Sequence, residues 1–264
     1  IFGHNDMFWQ RHLERLGRNS LVGTTVPIAA RLPIHLAADE HHADWCGEKG
    51  YAAFTAGAGC ILGVALSSSA DEAHLQEAYG VFAQEAQALD VKYSPETVNT
   101  DGWWATQKAF TALFSTIVPI LCFLHGFLKI RDRCRKALDL HQQVWDVYRA
   151  ETAQEFHQLM TDFRTGFEPA SWPKSVSEMV AKLWNRTEQY ALSYEHPGCY
   201  RTINLVDRLM NRLTRFLYHG RGLHGHQPSS EFRLRAWALL NNFRPFAPRT
   251  GKVRDYHSPA HRLN

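Results

Sequence analysis

A chain of 264 residues, 45% of them hydrophobic and 21% charged, with a net charge of +3, has enough apolar material for one substantial core, or for a core with a helical appendage. The longest apolar run, from Phe114 to Leu128, is interrupted by Ser115, Thr116, Pro119 and His125 and falls short of the ~18 residues a membrane span needs, and the opening IFGHNDMFWQRH shows no basic leader before an apolar stretch. Five cysteines, Cys46, Cys60, Cys122, Cys134 and Cys199, are an odd and scattered set, which excludes the paired framework of a secreted scaffold and points to a cytoplasmic protein with no membrane partner.

In chain order, residues 1–30 carry Trp9, Leu13 and Leu16 at helical spacing ending near Gly17, and read as a linker or the remnant of a missing N-terminal DNA-binding domain. Residues 31–128 read as the first part of a core. RLPIHLAADE is a first strand ending near Asp39, YAAFTAGA a second after the Gly-Glu-Lys-Gly corner, and CILGVAL a third after Gly59, together an antiparallel meander. Ser69–Leu89 then places Leu75, Tyr79, Phe82, Ala86 and Leu89 at helical spacing, with Ser69 or Asp71 as N-cap. ETVNT is a fourth strand, Gly102-Trp103 opens a helix, and TIVPILCF is a fifth strand that ends at His125. Residues 129–196 are helical throughout, broken at Pro169 and Pro173. Their apolar faces are Val144, Val147 and Tyr148, then Phe156, Leu159 and Phe163, then Val176, Met179, Val180, Leu183 and Trp184. Residues 197–250 return to the core with a basic helix, and 251–264 are a basic tail.

The order β-β-β-α-β-α-β-α, with an all-α insertion before the last helix, is the arrangement of a ribonuclease H-like α/β fold with a mixed sheet. Phosphoryl-transfer chemistry on such a platform needs carboxylates converging from different elements, because two divalent cations about 4 Å apart take oxygen ligands. Asp39 on the first strand and Asp101 after the fourth are expected on neighbouring strands. An Asp before Gly at a strand exit is also a common turn residue, and Glu40 and Asp44 compete with Asp39. The third acid is expected on TINLVDRLMNRLTRFL, where Leu205, Leu209, Leu213 and Leu217 form one stripe, Asn204, Asp207 and Asn211 a second, and Arg208, Arg212 and Arg215 a third. Asp207 is the choice over Glu188, Glu195 and Glu231.

From Arg201 onward there are 12 basic and 3 acidic residues, against 17 and 23 before it. That asymmetry suits a surface that meets a polyanion, and equally a solvated tail.

HLAADE, VNTDG, ILCFLH and TINLVDRLMNR, followed by ALLNNFRPF, together resemble the catalytic region of prokaryotic insertion-sequence transposases of the DD(E/D) class, related to the Mutator-like group. The resemblance covers about residues 32–250. In that group a helical insertion precedes the third acid and a C-x-x-H pair follows the second Asp; here Cys122 and His125 match it as support for the active site. The third acid is Asp where related groups usually have Glu, and the upstream helix-turn-helix or zinc module is not evident.

The resemblance implies Mg²⁺, or Mn²⁺, held by Asp39, Asp101 and Asp207, with water cleaving the phosphodiester and the freed 3′-OH attacking target DNA. It also implies phosphate contacts from Arg201, Arg208, Arg212, Arg215, Arg221, Arg233 and Arg235, transposon-end and target DNA as partners, a homo-oligomer, and association with the nucleoid. Two alternatives stand beside it: a nuclease of the same fold that cuts without joining, and a DNA-binding remnant without catalysis. Cys122 and His125 also read as half a zinc site near His41, His42 and Cys46. Trp103 and Trp104 read as core packing, or as a platform for an unpaired base.

Overall fold

The computed structural model describes residues 6–219, 222–247 and 255–264. Five strands form one mixed sheet: β1 (His35–Trp45), β2 (Glu48–Gly57), β3 (Cys60–Ser67), β4 (Thr97–Thr100) and β5 (Val118–Leu121), in the order β3-β2-β1-β4-β5. The first three pair antiparallel as the expected meander, and β4 and β5 add in parallel. Both hairpins turn on two residues with positive φ, Cys46 (54°) and Gly47 (84°), then Ala58 (51°) and Gly59 (90°). That is the twist-matched geometry of two-residue hairpins. The first corner therefore lies at Cys46-Gly47, and Glu48, Lys49 and Gly50 already belong to β2.

Alternation along β1 assigns its two faces. Leu36 and Ala38 enter a core with α3 (Glu72–Leu89) and α4 (Trp104–Leu113), built on Tyr79, Phe82 and Phe110. Ala37 and Ala43 enter a second core, under α10 (Asn204–His219) and α11 (Gln227–Phe243), with Phe54, Leu209, Leu213 and Trp237. Asp71 caps α3 by accepting the His74 N–H at 3.0 Å, so of the two expected caps Asp71 is the one used.

Three expectations change. The first strand does not stop near Asp39; pairing with β2 carries it to Trp45, well past the end of β4. The fifth strand ends at Leu121 rather than at His125, and α5 (Phe123–Arg133) follows. The apolar run there fits strand and helix alike, and Phe123 and Ile130 face a separate helical core. The described part of residues 1–30 is packed rather than a free linker: α1 (Asp6–Gly17) packs on α11, and Leu21 and Val22 of α2 (Leu21–Thr25) are fully buried.

The all-α insertion consists of α5, α6 (Leu138–Tyr148), α7 (Ala153–Gly166), α8 (Lys174–Trp184) and α9 (Thr187–Ala191). Its own core contains Val144, Phe156, Val180 and Tyr190. The chain's end turns as a 3-10 helix, Ala260–Leu263, with both named residues buried, so it is docked rather than a free tail. Among the described residues no helix is long and apolar enough to cross a membrane.

β3 lies at a sheet edge, yet all eight of its residues are buried. Side chains of α11 occupy its outward backbone groups. Asn242 Oδ1 accepts the Ile61 N–H at 2.8 Å and its Nδ2 donates to Ile61 O at 2.7 Å, while Glu231 accepts the Leu66 N–H and Gln227 donates to Leu66 O. Covering an edge this way blocks further strand addition. Asn242→Leu should therefore strand two buried backbone groups and cost about 3 kcal/mol, read as a lower urea midpoint at unchanged m-value.

Candidate metal centre

The parallel register of β1 and β4 places two carboxylates at one level. His35 faces Thr97, Leu36 faces Val98 and Ala37 faces Asn99, an offset of 62 positions that also separates Asp39 from Asp101. β4 ends at Thr100, so Asp101 leaves the sheet where β1 continues. Asp39 shares the face of Ala37, beneath α10; Glu40 points the other way, where its Oε1 accepts hydrogen bonds from Tyr79 and Thr106. Glu40 is thus held half-buried between α3 and α4, and that burial raises its pKa. Asp44, near the end of β1, is engaged by the hairpin turn, accepting the Gly47 N–H.

α10 supplies the third acid. Val206, Leu209, Met210, Leu213 and Leu217 are buried against the sheet, which turns Asp207 toward β1. One ligand atom each from Asp39, His125 and Asp207 lies within 4.8 Å of the others. The carboxyl of Asp39 is pushed up to about 8, by burial first and then by the charges of Asp101, Glu40 and Asp207. That of Asp207 is raised by burial and by Asp101, against a lowering influence of His125. The three predicted acids therefore feel one another, and His125 belongs to the same cluster.

Cys122 lies beside this cluster. Its Sγ accepts the Ile203 N–H at 3.3 Å and lies 3.3 Å from His125 Nδ1, tying the start of α5 to the start of α10. Burial lifts its thiol to about 11, so it remains protonated. Among the described residues the only group of three or more potential ligands is Asp39, His125 and Asp207, which leaves the zinc reading with His41, His42 and Cys46 without support.

Asp101 takes the turn role foreseen for it, and it is not among the residues whose ligand atoms lie within 4.8 Å of one another. Its Oδ1 accepts the Trp103 N–H at 2.7 Å across Gly102, whose φ is +92°. This turn directs the carboxylate and leaves Oδ2 without a hydrogen-bond partner among the described residues. The tryptophans are not core: Trp103 is 47% and Trp104 56% exposed, with the Trp103 indole N–H donating to Ala70 O.

The predicted arginines separate into distinct roles. Arg208, Arg212 and Arg215 are exposed on α10, the last two lining a cavity of about 720 Å³ with Arg244 and Trp237. Arg233 is half-buried near Glu14 of α1. Arg235 is not a DNA contact: it is 6% exposed, donates to Gly17 O and Asn19 O at 2.9 Å, and pairs with Glu85. Arg201 is likewise engaged, lying over the rings of Tyr148 and Tyr194 and donating to Tyr148 O at 2.8 Å. Arg221 lies outside the described residues. Sequence reasoning missed Lys129, Arg133, Lys182 and Arg186, which line a cavity with Asp101; the four-residue spacing from His125 through Lys129 to Arg133 was the signal.

Asp39 holds its proton more tightly folded than unfolded, so the folded chain binds more protons between its unfolded value of ~4 and about 8. Stability should then be greatest below that window and fall as pH rises through it. With chelator present, the apparent Tm should decline from pH ~5 to ~9, less so in Asp39→Asn, and millimolar Mg²⁺ should restore it at the alkaline end. Identical pH slopes for the two proteins in scanning fluorimetry would place Asp39 outside such a cluster. No family model and no curated protein matches this sequence, so the chemistry of the centre rests on its geometry.

Proposed function

We propose that this chain is the catalytic region of a DD(E/D)-class transposase of ribonuclease H-like fold, a metal-dependent enzyme that cleaves and joins DNA strands. The observation that carries the reading is the approach of Asp39, on a strand, and Asp207, on a helix, to within ligand distance of His125, with Asp101 at the neighbouring strand exit close enough for its charge to raise both carboxyls. The strand order β3-β2-β1-β4-β5, with β2 alone antiparallel to its neighbours, supports the fold, as does the helical insertion between β5 and α10.

The residues present suit a hard divalent cation. Asp39 and Asp207 gather with His125 where burial and the nearby charge of Asp101 disfavour ionisation, and His125 is the only cationisable side chain of that group. Oxygen donors favour Mg²⁺, and one imidazole beside them is compatible with Mn²⁺. Asp39, Asp101 and Asp207 would hold the ions, with His125 in ligand reach of Asp39 and Asp207. When bound, such ions lower the pKa of the attacking water and stabilise the departing 3′ oxygen.

The protein's part is positional. Register fixes Asp39 and Asp101, the Asx turn aims Asp101, and the Cys122 contacts hold His125 against Asp207. Burial keeps Asp39 poised to lose its proton only as positive charge enters.

Asn in place of Asp39, Asp101 or Asp207 should reduce Mg²⁺-dependent cleavage of an element-end duplex at least ~1,000-fold, with DNA affinity within about twofold of wild type. A joining assay with the pre-cleaved 3′-OH end tests strand transfer. Cleavage without joining would make the chain a nuclease, and absence of Mg²⁺ or Mn²⁺ binding with all three acids intact would leave only a DNA-binding remnant. Full activity in Asp101→Asn would defeat the assignment.

A further inference from the structure

α5 begins at the carboxylate cluster and leads away from it. His125, Lys129 and Arg133 are four residues apart and so lie on one stripe of the helix, each step carrying the side chain about 6 Å further along the axis. Across from this stripe stand Lys182 of α8 and Arg186, again four apart, in the connection to α9. Together the four cations and Asp101 line one cavity of about 350 Å³.

Two glycines set its shape. A Cβ on Gly126 would meet the Tyr190 hydroxyl at 2.8 Å, so α5 approaches α9 this closely only without a side chain there. A Cβ on Gly102 would come within 2.9 Å of Arg186 Nη1, which puts the innermost guanidinium on the turn that carries Asp101. None of the four cations forms an ion pair among the described residues. Lys129, Arg133 and Lys182 are exposed. Unpaired like charges along facing helices lower the affinity for cations and raise it for a polyanion.

We propose that this cleft between α5 and the α8–α9 connection holds the sugar-phosphate backbone of the DNA strand adjoining the scissile phosphate. The inference rests on reading the carboxylate centre as a DNA-processing site, and it moves the principal phosphate contacts from the C-terminal arginines to the insertion. The cations lie in rows rather than around a point, which fits a chain of phosphates better than one small anion. Arg186 is the contact next to the reacting phosphate, and Lys129, Lys182 and Arg133 are contacts further out.

The test is fluorescence anisotropy of the whole chain with a labelled DNA duplex of about 30 base pairs, in chelator, over a range of KCl. Lys129→Gln/Lys182→Gln should weaken binding about tenfold at moderate salt. It should also flatten the plot of log affinity against log salt by about 1.8, at ~0.9 per lost contact. Lys92→Gln/Lys174→Gln removes the same charge from exposed sites outside the cleft and should stay within about twofold of wild type; a thermal melt confirms that each variant is folded. Unchanged affinity and slope in the cleft variant, an equal loss in the control variant, or no DNA binding by wild type overturns the proposal. If cleavage depends on the three acids but the cleft variant binds like wild type, the cleft assignment falls while the catalytic reading stands. If wild type does not cleave but the cleft variant loses its salt slope, the cleft assignment stands and the catalytic reading falls.

Discussion

Parallel pairing between β1 and β4 is the constraint from which the rest of the site follows. A strand cannot slide by one position without sending every side chain to the opposite face, so the register that sets Ala37 beside Asn99 also keeps Asp39 on the face of Ala37 and lets β4 leave the sheet at Asp101 near by. Gathering acids there is unfavourable. A carboxyl displaced from its ordinary value to about 8 represents roughly 6 kcal/mol of lost ionic preference. α10 opposes that cost with five buried side chains, Val206, Leu209, Met210, Leu213 and Leu217, each contributing ~1.5–3 kcal/mol. Repulsion at the centre is held in place by packing beside it.

Much of the scaffold was legible because local pattern and tertiary role agree. The alternation in HLAADE, the apolar run CILGVAL and the spacing Leu75, Tyr79, Phe82, Ala86 each match the face the element buries. Asp39, Asp101 and Asp207 could be chosen because two of them sit at equivalent places on strands expected to be neighbours. The misplaced boundaries have a different origin. Nothing in AADEHHADW says that β2 will escort it to Trp45, since the extension depends on a partner strand. ILCFLHGFLKI is apolar in either conformation, and the turn into α5 at Cys122 is decided by the helical core that receives Phe123 and Ile130.

Charged residues were the hardest to read. Arg235 and Arg208 have similar neighbours in sequence, but one is enclosed by Glu85 and two carbonyls and the other is exposed. An enclosed guanidinium is tolerable only when partners are already arranged around it, and those partners come from α1, α3 and the segment after Gly17. The tryptophans failed in the opposite direction. Trp103 and Trp104 look like core from composition, whereas the Asx turn at Asp101 delivers them to the surface on the rim of the carboxylate site.

The insertion departs from the sheet and returns to it through adjacent backbone. Phe123 N–H donates to Arg201 O at 3.3 Å, and next to it Ile203 N–H reaches Cys122 Sγ. Residues 123–201 are therefore already closed into a loop by the parent fold, and closure entropy grows only slowly with the length enclosed. A module attached in this manner can lengthen, shrink or be exchanged for another while the strands and α10 keep their positions. The two ends of the graft sit against His125 and Asp207, so any replacement would border the carboxylate cluster while leaving the residues that form it in place.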